Sequence, residues 1–178
     1  MWAELALECA PNVAVSTMEA IIRVESGGNP LALNVNGVKV QPVLPKTKEE
    51  AARIAYEWMA KGRTVDLGLV QVNSVNLPAL GLTVEQVLEP CANLRAGAAI
   101  LSEGYARAVK LHGPGQRALQ AALSAYNTGS LTRGAKYVAK YYGRVPALNV
   151  APMETEANNP FIGRAAVHWP GVQHADNW

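Results

Sequence analysis

The chain has 178 residues, enough for one domain with a substantial core. Apolar residues make up 49% of it and charged residues 17%, which excludes wholesale disorder. The formal net charge of +2 comes from scattered Lys and Arg, a balance that tolerates an anionic polymer or a membrane surface but does not predict nucleic acid. No apolar run reaches the length of a transmembrane helix.

A short helix around Trp2–Ala10 opens the chain. The N-terminus lacks the basic start and long apolar stretch of a secretory signal, so either the protein is cytoplasmic or a signal has been removed. Ser16-Thr17-Met18-Glu19 reads as a capping box that starts a helix running to Glu25. Met18, Ile21, Ile22 and Glu25 share one side of it, so a carboxylate stands where an amphipathic helix should bury another apolar group. Ser26-Gly27-Gly28-Asn29-Pro30 then stops the helix. A carboxylate among apolar neighbours resists ionisation, which is what a general acid requires. A helix-end glutamate that merely caps, or pairs with Arg23 or a lysine, is the other reading of this segment.

Asn36-Gly37 between Leu31–Val35 and Val38–Val43 predicts a type I′ hairpin. Thr47-x-x-Glu50 opens a helix with Ala51, Ile54, Ala55 and Trp58 on one face, closed by Gly62. Val65 to Asn73 reads as an extended segment leading into a turn. Thr83-x-x-Gln86 starts a short helix, and a longer one follows from Cys91 to about Leu111. An alanine-rich helix from Arg117 to Tyr126 ends at Asn127-Thr128-Gly129, and a last helix covers Gly134 to Tyr142. This order predicts an α+β, mainly α, single domain over residues 1–145. From 146 to 178 prolines recur and helical periodicity is lost, which predicts a tail outside the core. Phe161, Trp169 and Trp178 in that tail are either partner anchors or incidental aromatics.

Cys9 and Cys91 fit no metal-ligand pattern. They are either two buried free thiols or a disulfide closing a loop of roughly 80 residues. His112, His168 and His174 form no ligand cluster and no glycine-rich phosphate loop is present, so neither a metal nor any other cofactor is expected.

Three segments are suited to polar recognition. In Gly68-Leu69-Val70-Gln71-Val72-Asn73, an extended strand would point the Gln71 and Asn73 amides to one side, where they suit sugar hydroxyls and acetamido groups. Ala125-Tyr126-Asn127 places a phenol and an amide at a helix end. With Glu25-Ser26-Gly27-Gly28-Asn29-Pro30 before them and Asn93-Leu94-Arg95-Ala96-Gly97-Ala98 between them, the order of motifs strongly resembles the soluble lytic transglycosylase family. The resemblance covers roughly Cys9 to Gly143 and points to the branch that accompanies type IV secretion systems, with Asp66-Leu67-Gly68-Leu69 and Val72-Asn73-Ser74 in support.

The resemblance implies a lysozyme-like fold, with a helical lobe, a small β-hairpin lobe and a glycan cleft between them. It implies that Glu25 protonates the oxygen linking N-acetylmuramic acid (MurNAc) to N-acetylglucosamine (GlcNAc) in peptidoglycan. Glu25 would then take the proton of the 6-hydroxyl, giving a 1,6-anhydro product. Ser26 would orient Glu25, while Gln71, Asn73, Tyr126, Asn127 and Tyr137 would line the cleft. The substrate lies outside the cytoplasm, so the resemblance also implies a periplasmic protein in its mature form, with Cys9 and Cys91 oxidised. It further implies a tail available to secretion-system components.

A two-carboxylate glycosidase needs a second acid facing the first. Asp66 precedes the expected cleft strand and is read as a structural turn or cap residue. Were it to face Glu25, a hydrolytic muramidase becomes the better reading. An inactive, peptidoglycan-binding assembly adaptor is the alternative from another class; an intact Glu25 argues against it.

Overall fold

The structure, a computed structural model, describes residues 2–143. The tail at 146–178, with Phe161, Trp169, Trp178 and two of the three histidines, lies outside the described residues. Helix α1 (Trp2–Cys9) leads into α2 (Val15–Glu25), whose Met18, Ile21 and Ile22 are buried. Each such side chain contributes on the order of 1.5–3 kcal/mol by leaving water. The Ser16–Glu19 capping box does not form: the helix starts one residue earlier, after Ala14, without a side-chain cap. Burial of Val13 and Thr17 on either side of that start fixes the first turn and places Ser16 inside the helix.

The small lobe is a three-stranded antiparallel sheet in the order β1 (Leu33–Val35), β2 (Val65–Leu67), β3 (Val72–Asn73). The predicted hairpin across Asn36-Gly37 is half right. Those residues do turn the chain, but 38–46 form no strand, and β1 pairs with β2 instead. Pro42 and Pro45 remove two of the donors a second strand would need. The Gln41 side chain serves in its place, accepting from the Val35 N–H at 2.7 Å and donating to the Val35 carbonyl at 2.9 Å.

Helix α3 (Lys48–Ala60) packs on this sheet and is capped by Thr47, whose hydroxyl accepts from the Glu50 N–H. A 3-10 turn (Ser74–Asn76) and two short helices, α4 (Leu77–Leu80) and α5 (Val84–Val87), lead back to the helical lobe. The Thr83–Gln86 capping box on α5 is complete in both directions. Helices α6 (Pro90–His112) and α7 (Gln116–Thr128) form the central pair, and α8 (Ala135–Tyr142) lies across α7 and α2. Leu94, Leu101 and Leu123 are fully buried between them. The fold is mainly helical with a small sheet, as the lysozyme-like reading expects. A Cys9–Cys91 disulfide ties α1 to the start of α6. Among the described residues no helix is long and apolar enough to cross a membrane.

Candidate active site

Glu25 is the last residue of α2, and it opens onto a cavity of about 450 Å³ between the helical lobe and the sheet. Glycines and a serine end the helix there: Ser26 donates its backbone N–H to the Ile22 carbonyl, and Gly27 and Gly28 both take positive φ. Arg23, a possible partner for the acid, instead donates to the Tyr141 carbonyl on α8. The Glu25 carboxyl is therefore not neutralised by its own helix. Burial pushes its pKa up to about 7; the Tyr137 hydroxyl pulls it down, the negative charge of Asp66 pushes it up, and Lys140 pulls it down. Tyr137 is itself buried and its hydroxyl makes no hydrogen bond of good geometry, which leaves it facing the acid.

Ser26 does not line the cavity. Its hydroxyl donates to the Leu69 carbonyl at 2.8 Å and accepts from the Gly28 N–H at 3.1 Å. It thus fastens the end of α2 to the β2–β3 turn, positioning the backbone of Glu25 rather than its carboxylate.

That turn differs from the predicted extended segment. Gln71 sits in it with φ +51°, so Gln71 and Asn73 do not share a strand face. Gln71 still lines the cavity; its NH₂ donates to the Ala32 and Gly68 carbonyls, leaving Oε1 as the atom with which to meet a ligand. The turn docks on α6 through Asn93, which accepts from the Val70 N–H and donates to the Leu67 and Val87 carbonyls. Gly68 has φ +78°, and a Cβ there would run into the Asn93 amide.

Tyr126 and Asn127, in the last turn of α7, both line the cavity. The Tyr126 hydroxyl donates to the Val70 carbonyl at 2.6 Å, so it braces the turn from the opposite lobe. Burial, then the nearby carboxylates of Glu25 and Asp66, keep that phenol well above its usual pKa. Val24, Ile100 and Asn76 complete the wall, with Lys136 and Lys140 on one face of α8 at the rim.

Asp66 requires a correction. It is on β2 rather than at a turn, and it lines the same cavity as Glu25. In register it lies directly opposite Asn34 on β1 and Asn73 on β3. Oδ2 accepts from the amides of Asn34 and Asn36, both at 3.1 Å, and Oδ1 accepts from Asn73 at 2.6 Å. Burial raises the Asp66 pKa, and the three amides work against that rise. Asn73, predicted to meet substrate, is largely committed to this carboxylate and to the Val75 N–H.

Asn34 and Asn36 were invisible as site residues because the segment after them was expected to be their strand partner. Their i, i+2 spacing, one on β1 and one just past its end, was the signal that both point to one face. Among the described residues no group of three His, Cys, Asp or Glu stands together as a metal site.

Comparison with known proteins bears on the family of the chain. The transglycosylase SLT domain matches residues 3–146. The type IV secretion system protein virB1 of Brucella suis biovar 1 is 47% identical over 135 residues, 74% of this chain and 56% of that protein. Protein virB1 of Agrobacterium fabrum is 38% identical over 129 residues, 72% of this chain and 52% of its own length. The chain thus spans about half the length of the curated relatives it matches. No solved structure matches it. With its match extending over most of the sequence, the chain belongs to the transglycosylase SLT domain family.

Proposed function

We propose that this protein is a peptidoglycan lytic transglycosylase that cleaves the MurNAc-β-1,4-GlcNAc bond, with Glu25 as acid and then base. The observation that carries the reading is an acid at a helix end, its pKa raised to about 7 chiefly by burial, opening onto a cleft between two lobes. A carboxyl in that state gives its proton to the leaving oxygen at neutral pH. The carboxylate so formed takes the proton of the 6-hydroxyl as that oxygen closes on C1, leaving a 1,6-anhydro-MurNAc end. Gln71, Asn127 and the cavity face of Tyr126 would contact the glycan, and Tyr137 would hold the Glu25 carboxyl in place. Residues 1–145 form the catalytic unit in this reading.

The name of the Brucella relative, a type IV secretion system protein, supports work beside such an apparatus, where the enzyme would open the wall locally in the periplasm. The segment 146–178 is then the part available to dock on apparatus components. A hydrolytic muramidase is the second reading, and the placement of Asp66 in the Glu25 cavity is what favours it. Mass spectrometry of the fragments released from purified peptidoglycan separates the two: 1,6-anhydro ends support the transglycosylase, reducing ends the hydrolase. The Glu25→Gln variant should release neither.

A further inference from the structure

We propose that Lys136 and Lys140 form a carboxylate subsite at the rim of the cleft, which takes the acidic peptide carried by the muramic acid residue and favours strands whose stem carboxylates are free. The inference rests on the peptidoglycan reading above and adds to it which strands are preferred. Among the described residues, Glu25, Asp66, Lys136 and Lys140 are the acidic and basic side chains that line the cavity. Burial favours the neutral form of Glu25, and Asp66 is already met by the amides of Asn34, Asn36 and Asn73. The lysines have no such complement: among the described residues neither makes an ion pair or a hydrogen bond. The rim on α8 therefore carries unbalanced positive charge, whereas the sheet side of the cleft presents mostly neutral amides.

Nothing in α8 itself accounts for the pair. Lys136 stands in the first turn, where the helix dipole disfavours a cation, and no acid accompanies it there. Lys140 follows four residues later, so two like charges sit side by side on one face. Both residues are exposed and add nothing to the core. A local rule broken twice without an internal compensation points to an anion from outside.

The chemistry of peptidoglycan identifies that anion. Once the lactyl group of MurNAc is joined to a peptide, the sugars carry no charge, and the negative groups are the carboxylates of the peptide. The peptide leaves the ring through the lactyl ether and runs outward, toward a rim rather than a floor. Lys140 is close enough to Glu25 to pull its pKa down, so a ring held at the acid brings its peptide to the lysines. An ammonium on a flexible stem suits carboxylates that are not fixed in one place.

The test is cleavage of soluble strands at about pH 6 and low salt, where the acid is protonated and screening is weak. Three substrates are compared: stems with free carboxylates, the same stems with those carboxylates converted to amides, and strands stripped of stems so that the lactyl carboxylate remains. Wild type should cleave the first about 5- to 30-fold more efficiently in kcat/KM than the amidated form, mostly through KM, and the stripped form no better than the amidated one. Lys136→Gln combined with Lys140→Gln should bring the ratio of free to amidated strands to within about twofold, and Lys136→Arg with Lys140→Arg should keep it. A merely structural role would lower both rates together and leave the ratio unchanged. Equal efficiency of wild type on free and amidated strands would overturn the proposal, and that comparison needs no variant. So would an unchanged ratio in the folded glutamine variant, or stripped strands cleaved as well as stem-bearing ones, which would put the lactyl carboxylate in the peptide's place. Each of those results leaves the glycan-cleaving reading intact. No cleavage of any form by folded wild type would sink that reading and this proposal with it.

Discussion

Glu25 sets two pH dependences that run in the same direction. The proposed catalysis needs the protonated acid, so cleavage at limiting substrate should fall as pH rises through about 7. Stability follows the same group. Its folded pKa is raised from 4.5 to about 7, so between those values the native state holds a proton that the unfolded state has lost. Stability from this residue is therefore complete below about pH 4.5 and declines until about pH 7. Glu25→Gln removes the buried charge, and it should raise the melting temperature at about pH 8 but not at about pH 4. The gain is about 1–2 kcal/mol once solvent screening at the cavity mouth is allowed for; thermal melts at the two pH values check it. Glu25 was legible in the sequence because an acid broke an apolar helical stripe. Asp66 was not, since its setting is made by residues on three strands, 32 positions apart at one pairing and 7 at the other.

At the scale of elements, the site depends on how closely the β2–β3 turn approaches α6 and α7. Gly97, in the middle of α6, has no room for a Cβ, which would overlap Val70 and reach 3.0 Å from the Tyr126 hydroxyl. Alanine at an exposed helical glycine gains about 1 kcal/mol. At Gly97 the sign should reverse: Gly97→Ala should cost about 1–3 kcal/mol by overpacking and should disturb the Tyr126–Val70 hydrogen bond. Chemical denaturation and cleavage assays together measure both effects. Helices α3, α5, α6 and α7 were readable from capping residues, proline starts and glycine stops, all local signals. The sheet was less legible. Asn36-Gly37 is a sound turn signal, but β1 finds its partner at Val65–Leu67, far along the chain, and Gln41 occupies the edge that a local hairpin would have used.

Across the molecule, the two lobes are held by long-range ties: Asn93 to the turn, Tyr126 to Val70, Ser26 to Leu69, and the Cys9–Cys91 disulfide behind them. The disulfide spans 82 positions, and loop entropy makes it worth about 4–5 kcal/mol. Reduction should accordingly lower the melting temperature by roughly 10 °C, which differential scanning calorimetry with and without reductant measures. In the sequence, free thiols and a disulfide are both open, because pairing is decided by the distance between α1 and α6 in the fold. In the proposed function the whole arrangement serves Glu25 at the junction of the lobes. The decisive measurement is the release of glycan fragments from purified peptidoglycan by wild type and Glu25→Gln at about pH 6, where the acid is protonated, with folding of both confirmed by their melts. Wild type should release 1,6-anhydro-MurNAc fragments, and the folded variant at least about a thousandfold fewer. Comparable release by a folded Glu25→Gln protein would contradict the assignment of Glu25 as the catalytic acid.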